Sequence, residues 1–455
     1  MTIPSTKPSL ALRSVYSTVN QNSTIKLYDG RLTIEQNGIK IETSGTVNLE
    51  WLRYPEIKFN ITENNSTATK DLNRFTLEQA FLYLPICQEG VKVHILERNV
   101  SVNQQESNTK LSGKVLEPIR VGTGHDLTHM LVHLPNFCDT LGEGICNCNN
   151  HWMGRFVLEE NGWKLTVDKV DNHIALYKSL NVLGGYAITH IAKLERINGS
   201  LFNAEQTSSL LEDMSYFFSF TRGFWTGPTM ELGFDKNGNR VWEKWNKPIT
   251  NSWRDVNSWF NSQKPQVLAD LWPGFYQRLH DVTCVTWEKT IKQAIRWYVA
   301  GNTLAGELEG AIILAQTGHE LLAWTLFVTE DQLTTDGFEK LPASDKLRLL
   351  LLRLKIPLAV PSSLVCLSRL CKSEKWVDGP HAVTDIRNKL VHPKPKNLQR
   401  ISTLPYDALR DAHNLGLWYL ELILLYLFNY KGDYANRLPY QRYAGQVEPV
   451  PWLLP

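Results

Sequence analysis

The sequence predicts an α+β protein, with a mostly antiparallel β domain first, a Trp-rich connector next and a helical bundle last. Three observations lead there. Through much of residues 25–200 apolar residues recur every second position, and Asn-Gly pairs punctuate the runs. From about residue 283 to residue 432 the apolar spacing becomes that of helices. Between the two, residues 201–282 gather Trp225, Trp242, Trp245, Trp253 and Trp259 among lysines and arginines.

Residues 1–24 are rich in Ser, Thr and Asn, and a loosely ordered N-terminus is expected. In the β domain, Leu32 and Ile34 alternate up to Gln36-Asn37-Gly38, and Ile39 and Ile41 resume after it, which reads as a hairpin closed by a tight turn. Val47, Leu49 and Leu52 continue the pattern, and further strands are expected over 81–84, 91–96, 113–121 and 127–134. A second turn, Glu160-Asn161-Gly162, joins strands over 155–158 and 163–167. In the connector, Leu210, Leu211, Met214, Phe217 and Phe218 fall at helical spacing, and a hairpin pairs 230–234 with 241–245 around Asn237-Gly238. Its aromatic residues beside cations could stack bases, but a Trp-rich core where two domains meet is the better reading.

The bundle reads as six helices. The first carries Trp287, Ile291, Ala294, Ile295, Tyr298 and Val299 on one stripe. The second covers 303–327. The third begins after Pro342 and stops at Pro357. The fourth and fifth span 362–371 and 379–392, and the sixth, 406–430, is the most apolar. Residues 433–455 carry Pro and Tyr and read as an arm on the surface.

A chain of 455 residues suggests two or three domains, and 43% hydrophobic with 21% charged residues is ordinary for a globular protein. A net charge of +2 excludes a globally basic nucleic-acid binder, so any such affinity has to be local. The N-terminus lacks an apolar core of signal-peptide length, and the apolar run 415–428 is interrupted by Glu421 and falls short of the ~20 residues that span a bilayer. A buried helix, no membrane partner and a cytoplasmic location are expected. Seven cysteines without framework spacing fit a reducing compartment.

Two clusters could carry metal chemistry. His125, His129 and His133 share one face of a strand, but fourth neighbours there lie ~13 Å apart, so a structural role is expected. Cys138, Cys146, Cys148 and His151 form a chemically valid zinc set. Their spacing lacks paired Cys-x2-Cys knuckles; ordinary thiols and no cofactor are expected. The sequence contains no Gly-rich phosphate loop with Lys, no His-Glu-x-x-His, no Gly-x-Ser-x-Gly and no carboxylate cluster for two metals.

The segment Asp385-Ile386-Arg387-Asn388-Lys389-Leu390-Val391-His392-Pro393 stands out. Asn follows Arg directly, the spacer is apolar in part, Pro follows the His, and helical sequence surrounds it. Arg120 and His125 repeat the Arg-to-His spacing in a Gly-rich stretch that cannot be a regular helix. Arg387 offers a planar fork for phosphate, and His392 titrates near neutrality. Pro393 disfavours helical geometry at His392. Lys389, Lys394 and Lys396 add charge that attracts RNA.

This segment resembles the Arg-Asn-x-x-x-His signature of the HEPN superfamily, a helical-bundle family with many metal-independent RNA-cutting members. The resemblance covers the last third of the chain. It implies an endoribonuclease that uses the ribose 2′-hydroxyl as nucleophile, with His392 as base or acid, Arg387 on the phosphate and Asn388 orienting one of them. It also implies a homodimer through the bundle, whose two copies line one cleft. Taken with the β part, the chain is similar to bacterial defence effectors of the abortive-infection, ApeA-like type, in which the β part would sense an unknown phage or cellular trigger. An inert HEPN-like scaffold for binding or dimerisation is the alternative, and a zinc enzyme built on the Cys/His set is a third possibility.

Overall fold

The chain opens with a two-residue strand, β1 (Ser9–Leu10), and then builds a barrel. This is seen in a computed structural model, which describes residues 8–16, 20–64, 72–102, 107–304, 307–392, 404–439, 443 and 445–454. The barrel strands are β2 (Ile25–Gln36), β3 (Ile39–Glu50), β4 (Glu56–Asn64), β5 (Gln79–Tyr83), β6 (Val91–Val102) and β7 (Ser107–Val115). They close in the order β2-β3-β4-β7-β6-β5, every pairing antiparallel, with β5 returning to β2. Closure removes the exposed edges an open sheet would present. The alternation seen in the sequence points Ile34, Val47, Phe59, Leu82, Val93 and Leu111 into the lumen, all fully buried. The expected β2–β3 turn forms at Asn37 and Gly38, with φ of 52° and 79°, the left-handed values that such a turn demands and that Asn and Gly tolerate.

The second sheet has nine strands. They include β8 (Ile119–Gly122), β9 (His129–Pro135), β10 (Glu143–Cys146), β11 (His151–Glu160), β12 (Trp163–Lys169), β13 (Ile188–Arg196), β14 (Thr229–Phe234) and β15 (Arg240–Trp245), in the order β1-β10-β11-β12-β13-β9-β14-β15-β8. Residues 25–200 thus hold a barrel and most of a separate sheet. They also hold a helix, α1 (His173–Leu183), that alternation did not reveal.

One expectation is corrected here. Within the N-terminal stretch expected to be loose, the described residues 8–16 are tied down: β1 pairs parallel to β10, the Leu12 amide donates to Asp168 Oδ2 at 2.7 Å, and Tyr16 is buried. The Trp-rich connector joins the second sheet. Its hairpin β14–β15 is inserted between β9 and β8, because the backbone edge of β9 needs a partner and Leu232 needs burial. Trp242, Trp245 and Trp259 are buried, as a Trp-rich core requires, and Trp242 also shows one edge to a cleft.

The remaining helices are α2 (Ser208–Arg222), α3 (Val267–Leu279), α4 (Thr286–Thr303), α5 (Leu308–Trp324), the short α6 (Thr335–Glu339), α7 (Ala343–Arg353), α8 (Val365–Glu374), α9 (Gly379–Val391) and α10 (Tyr406–Leu427). The helices expected in the bundle form with boundaries shifted by a few residues, and α5 runs on into a π-helical stretch, Thr325–Glu330. One apolar interior continues from Leu134 and Leu165 of the sheet, through Phe217, Phe220 and Trp259, to Ile295, Leu420 and Phe428 of the bundle. Leu308–Glu330 has the length and mean hydropathy to cross a membrane, but 61% of that window is buried inside the protein.

α10 is the central helix of the bundle. Glu421, which interrupts its apolar run, is fully buried and holds Arg437 in a two-point ion pair at 2.7 and 2.9 Å. The arm is therefore anchored inside the core as well as paired at its surface by the small ribbon of Asp433–Tyr434 and Glu448–Pro449.

Candidate functional site

α9 carries the Arg-Asn-x-x-x-His segment, and its local sequence explains its limits. Asp378 is the N-cap, with Oδ1 accepting the His381 amide at 2.9 Å, and Pro380 occupies the first turn, where its missing N–H costs nothing. The Asp378 carboxylate also receives the Arg348 guanidinium at 2.6 Å, which ties α7 to the start of α9. Gly379 lets the helix begin against α10, since a Cβ there would lie 2.1 Å from Tyr419 Oη. Ala382, Val383 and Ile386 then bury one face against α5, α7 and α10. At the other end His392 leaves the helix at φ −110° and ψ 97°, the extended geometry expected before proline, while its amide still donates to the Asn388 carbonyl at 3.1 Å.

Arg387 and Asn388 are half-buried and His392 is exposed. Arg387 Nη1 donates to Asn388 Oδ1 at 3.2 Å. Its Nε is buried with no hydrogen-bond partner among the described residues. Arg387 also makes no ion pair among them, because the obvious partner is taken: Asp385 Oδ2 accepts Trp376 Nε1 at 2.8 Å and Lys389 Nζ at 3.0 Å. The Arg fork is therefore steadied by Asn388 and uncompensated by a carboxylate. Such a group is suited to hold an oxyanion.

The expectation that Lys389 faces RNA is corrected. Lys389 is buried, its ammonium reaches Glu374 at 3.0 Å as well as Asp385, and it lies 4.8 Å from the centre of the Trp376 ring. Its long stem lets it close the inward face of α9 while its charge finds two carboxylates. Lys394 and Lys396 lie outside the described residues.

The Cys/His set is not brought together. Cys138 is packed beside the end of α2, and burial pushes its thiol up to about 12. Cys146 and His151 sit opposite each other on β10 and β11, and exposed Cys148 takes a weak hydrogen bond from Arg13 at 3.6 Å. Among the described residues no group of three or more His, Cys, Asp or Glu is placed to hold a metal. Of the three histidines expected on one strand face, His129 and His133 lie on β9 in structural settings, while His125 precedes the strand: His129 stacks on Phe234 at 4.8 Å, and buried His133 contacts the Met230 carbonyl at 3.1 Å and Ser14 Oγ at 3.2 Å. Arg120 and His125 line a cleft of about 560 Å³ together with Trp242 and Glu205. Sequence spacing alone did not single out that cleft, because its other wall comes from residues 88–91, Glu205 and Trp242, distant in the chain.

Two segments match known protein-family models. Residues 122–256, which span the nine-stranded sheet from the end of β8 onward, match the YopA central domain. Residues 285–448, which span the bundle and most of the arm, match the YopA C-terminal domain. Over 457 aligned residues the chain is 27% identical to the SPbeta prophage-derived uncharacterized protein YopA of Bacillus subtilis strain 168, covering 98% of both chains. No solved structure matches the chain.

Proposed function

We propose that this protein is a metal-independent endoribonuclease of the HEPN kind, acting in the cytoplasm as a homodimer. The single observation that carries the reading is the Arg387 guanidinium: braced by Asn388, without a carboxylate partner among the described residues, and on the same helix end as His392. In this mechanism an imidazole takes the proton of the ribose 2′-hydroxyl, the 2′-oxygen attacks phosphorus, and the P–O5′ bond breaks. A second imidazole returns a proton to the leaving 5′-oxygen. Arg387 holds the phosphoryl oxygens, on which negative charge accumulates. The products are a 2′,3′-cyclic phosphate and a 5′-hydroxyl.

One copy does not supply this alone. Five residues along a helix turn through ~140° and rise ~7.5 Å, so Arg387 and His392 diverge within a protomer. A two-fold axis near the end of α9 would place both copies of each group around one cleft. The prophage setting in the name of the YopA relative suits an effector that halts a competing phage by cutting RNA, with the barrel and the sheet as sensor. RNA cleavage should persist in EDTA and leave 2′,3′-cyclic ends. Loss in EDTA with rescue by magnesium would sink the mechanism. If no RNA is cut while the protein still dimerises through the bundle, the inert-scaffold reading replaces it.

A further inference from the structure

We infer that a cavity between the end of α2, Cys138 and the 256–262 segment is a binding site for a phosphate-sized oxyanion, with Arg222 as its anchor. Arg222 ends α2, is 7% exposed, and lines a cavity of about 200 Å³ with Cys138, Asn257, Ser258 and Ser262. Its guanidinium lies over two rings, 4.2 Å from the centre of Phe224 and 4.7 Å from that of Trp253, which fix its plane. Among the described residues Nη2 donates to the Arg254 carbonyl at 3.0 Å, and Nε is buried with no hydrogen-bond partner. Among the described residues no carboxylate reaches ion-pairing distance of Arg222.

A buried arginine normally has an ion pair, since desolvating its charge alone costs several kcal/mol. Elsewhere in this protein the fully buried Arg437 follows that rule, paired with Glu421. At Arg222 the Asp255 carboxylate acts only through space, with no ion pair among the described residues, and the cation is pre-oriented beside a cavity with hydroxyls on its wall. Ser258 Oγ donates to the Thr221 carbonyl at 2.6 Å and accepts the Phe260 amide, which fixes that wall. The volume suits one phosphate group, and the open mouth lets a larger phosphate ester extend outward. The segment behind the cavity is itself held to the bundle: Asn302 of α4 donates to the carbonyls of Gly223 and Asn257, and Arg437 donates to the latter as well. An anion here would brace the end of α2 against the 256–262 segment.

The test is calorimetric titration of the full chain with inorganic phosphate in a chloride buffer of constant ionic strength. Phosphate should bind the wild type at one site. Arg222→Met should lose about tenfold or more in affinity, the worth of a charged hydrogen bond, and Arg222→Lys should recover only part of it. Arg222→Met should stay folded by circular dichroism and melt no lower than the wild type without phosphate, because it removes an uncompensated buried charge. Arg254→Ala, which removes a neighbouring exposed cation, should leave binding intact. A nucleoside monophosphate that binds more tightly than phosphate would place the group on a larger ester; equal binding would mean free phosphate. No heat from phosphate, or equal binding by Arg222→Met, overturns the proposal. Neither readout involves RNA cleavage, so this site and the one on α9 stand or fall separately.

Discussion

At the scale of single residues, the candidate site makes divergent demands on neighbours within one helical turn. If His392 transfers a proton, His392→Ala should lose roughly 10²–10⁴-fold in RNA cleavage, and Arg387→Ala a similar amount. Arg387→Lys should recover little, since a point charge does not reproduce the fork. Both residues lie away from the packed face of α9, so melting temperature should stay near the wild-type value. Cleavage by His392→Ala at the wild-type rate would remove the catalytic role. Lys389 behaves oppositely. Its ammonium joins Glu374 and Asp385 from a buried position, so Lys389→Ala should cost about 1–2 kcal/mol of stability, allowing for the partial exposure of both carboxylates. Arg120→Ala with His125→Ala should leave cleavage intact, because that pair lies in a different cleft; failure there would move the chemistry to the β part.

Among elements, α10 decides the stability of the bundle. It is buried along nearly its whole length, and the Glu421–Arg437 pair is the polar lock inside it. Tyr298 donates to Glu421 Oε1 at 2.7 Å, which completes the carboxylate's partners. Glu421→Leu alone leaves the Arg437 charge stranded and should cost about 3–5 kcal/mol; Glu421→Leu with Arg437→Met should regain most of that. Chemical unfolding midpoints would separate the two. Similar losses from the single and double changes would mean that the arm docks through its apolar contacts and the ribbon, with the ion pair secondary.

For the whole molecule, two measurements bear on the reading. Light scattering at micromolar concentration should return twice the 52.1 kDa chain mass. A monomer at every accessible concentration would rule out a composite site. The second is acid stability. Burial lowers His133, His319 and His413 from 6.5 to about 4, and pushes His190 well below its ordinary value. A histidine whose folded pKa is depressed takes up protons in the unfolded chain first. Its contribution is complete above pH 6.5 and is lost as the pH falls toward about 4. The melting temperature should therefore fall steadily across that window, and a flat profile would mean these rings are solvated.

Local pattern sufficed for much of this fold. Alternation and an Asn-Gly pair specify the β2–β3 hairpin, because period two and a left-handed turn are properties of a few consecutive residues. The stripe from Trp287 to Val299 specifies α4 in the same way, and Pro393 alone sets the extended backbone at His392. Tertiary structure decided the rest. That the strands of 25–115 close on themselves, while β14–β15 cross the chain to join β9 and β8, depends on pairings between residues far apart in sequence. The composition of 201–282 marked a Trp-rich core but not which sheet it completes. Within the candidate site, residue types and spacing pointed to Arg387 and His392. Only packing revealed that Asp385 is claimed by Trp376 and Lys389, leaving Arg387 uncompensated while Lys389 turns inward. Arg222 is the clearest case: in sequence it is one arginine before a glycine. Its burial and its two flanking rings are assembled from three separate stretches of chain, because the energy of a charge depends on what surrounds it in space.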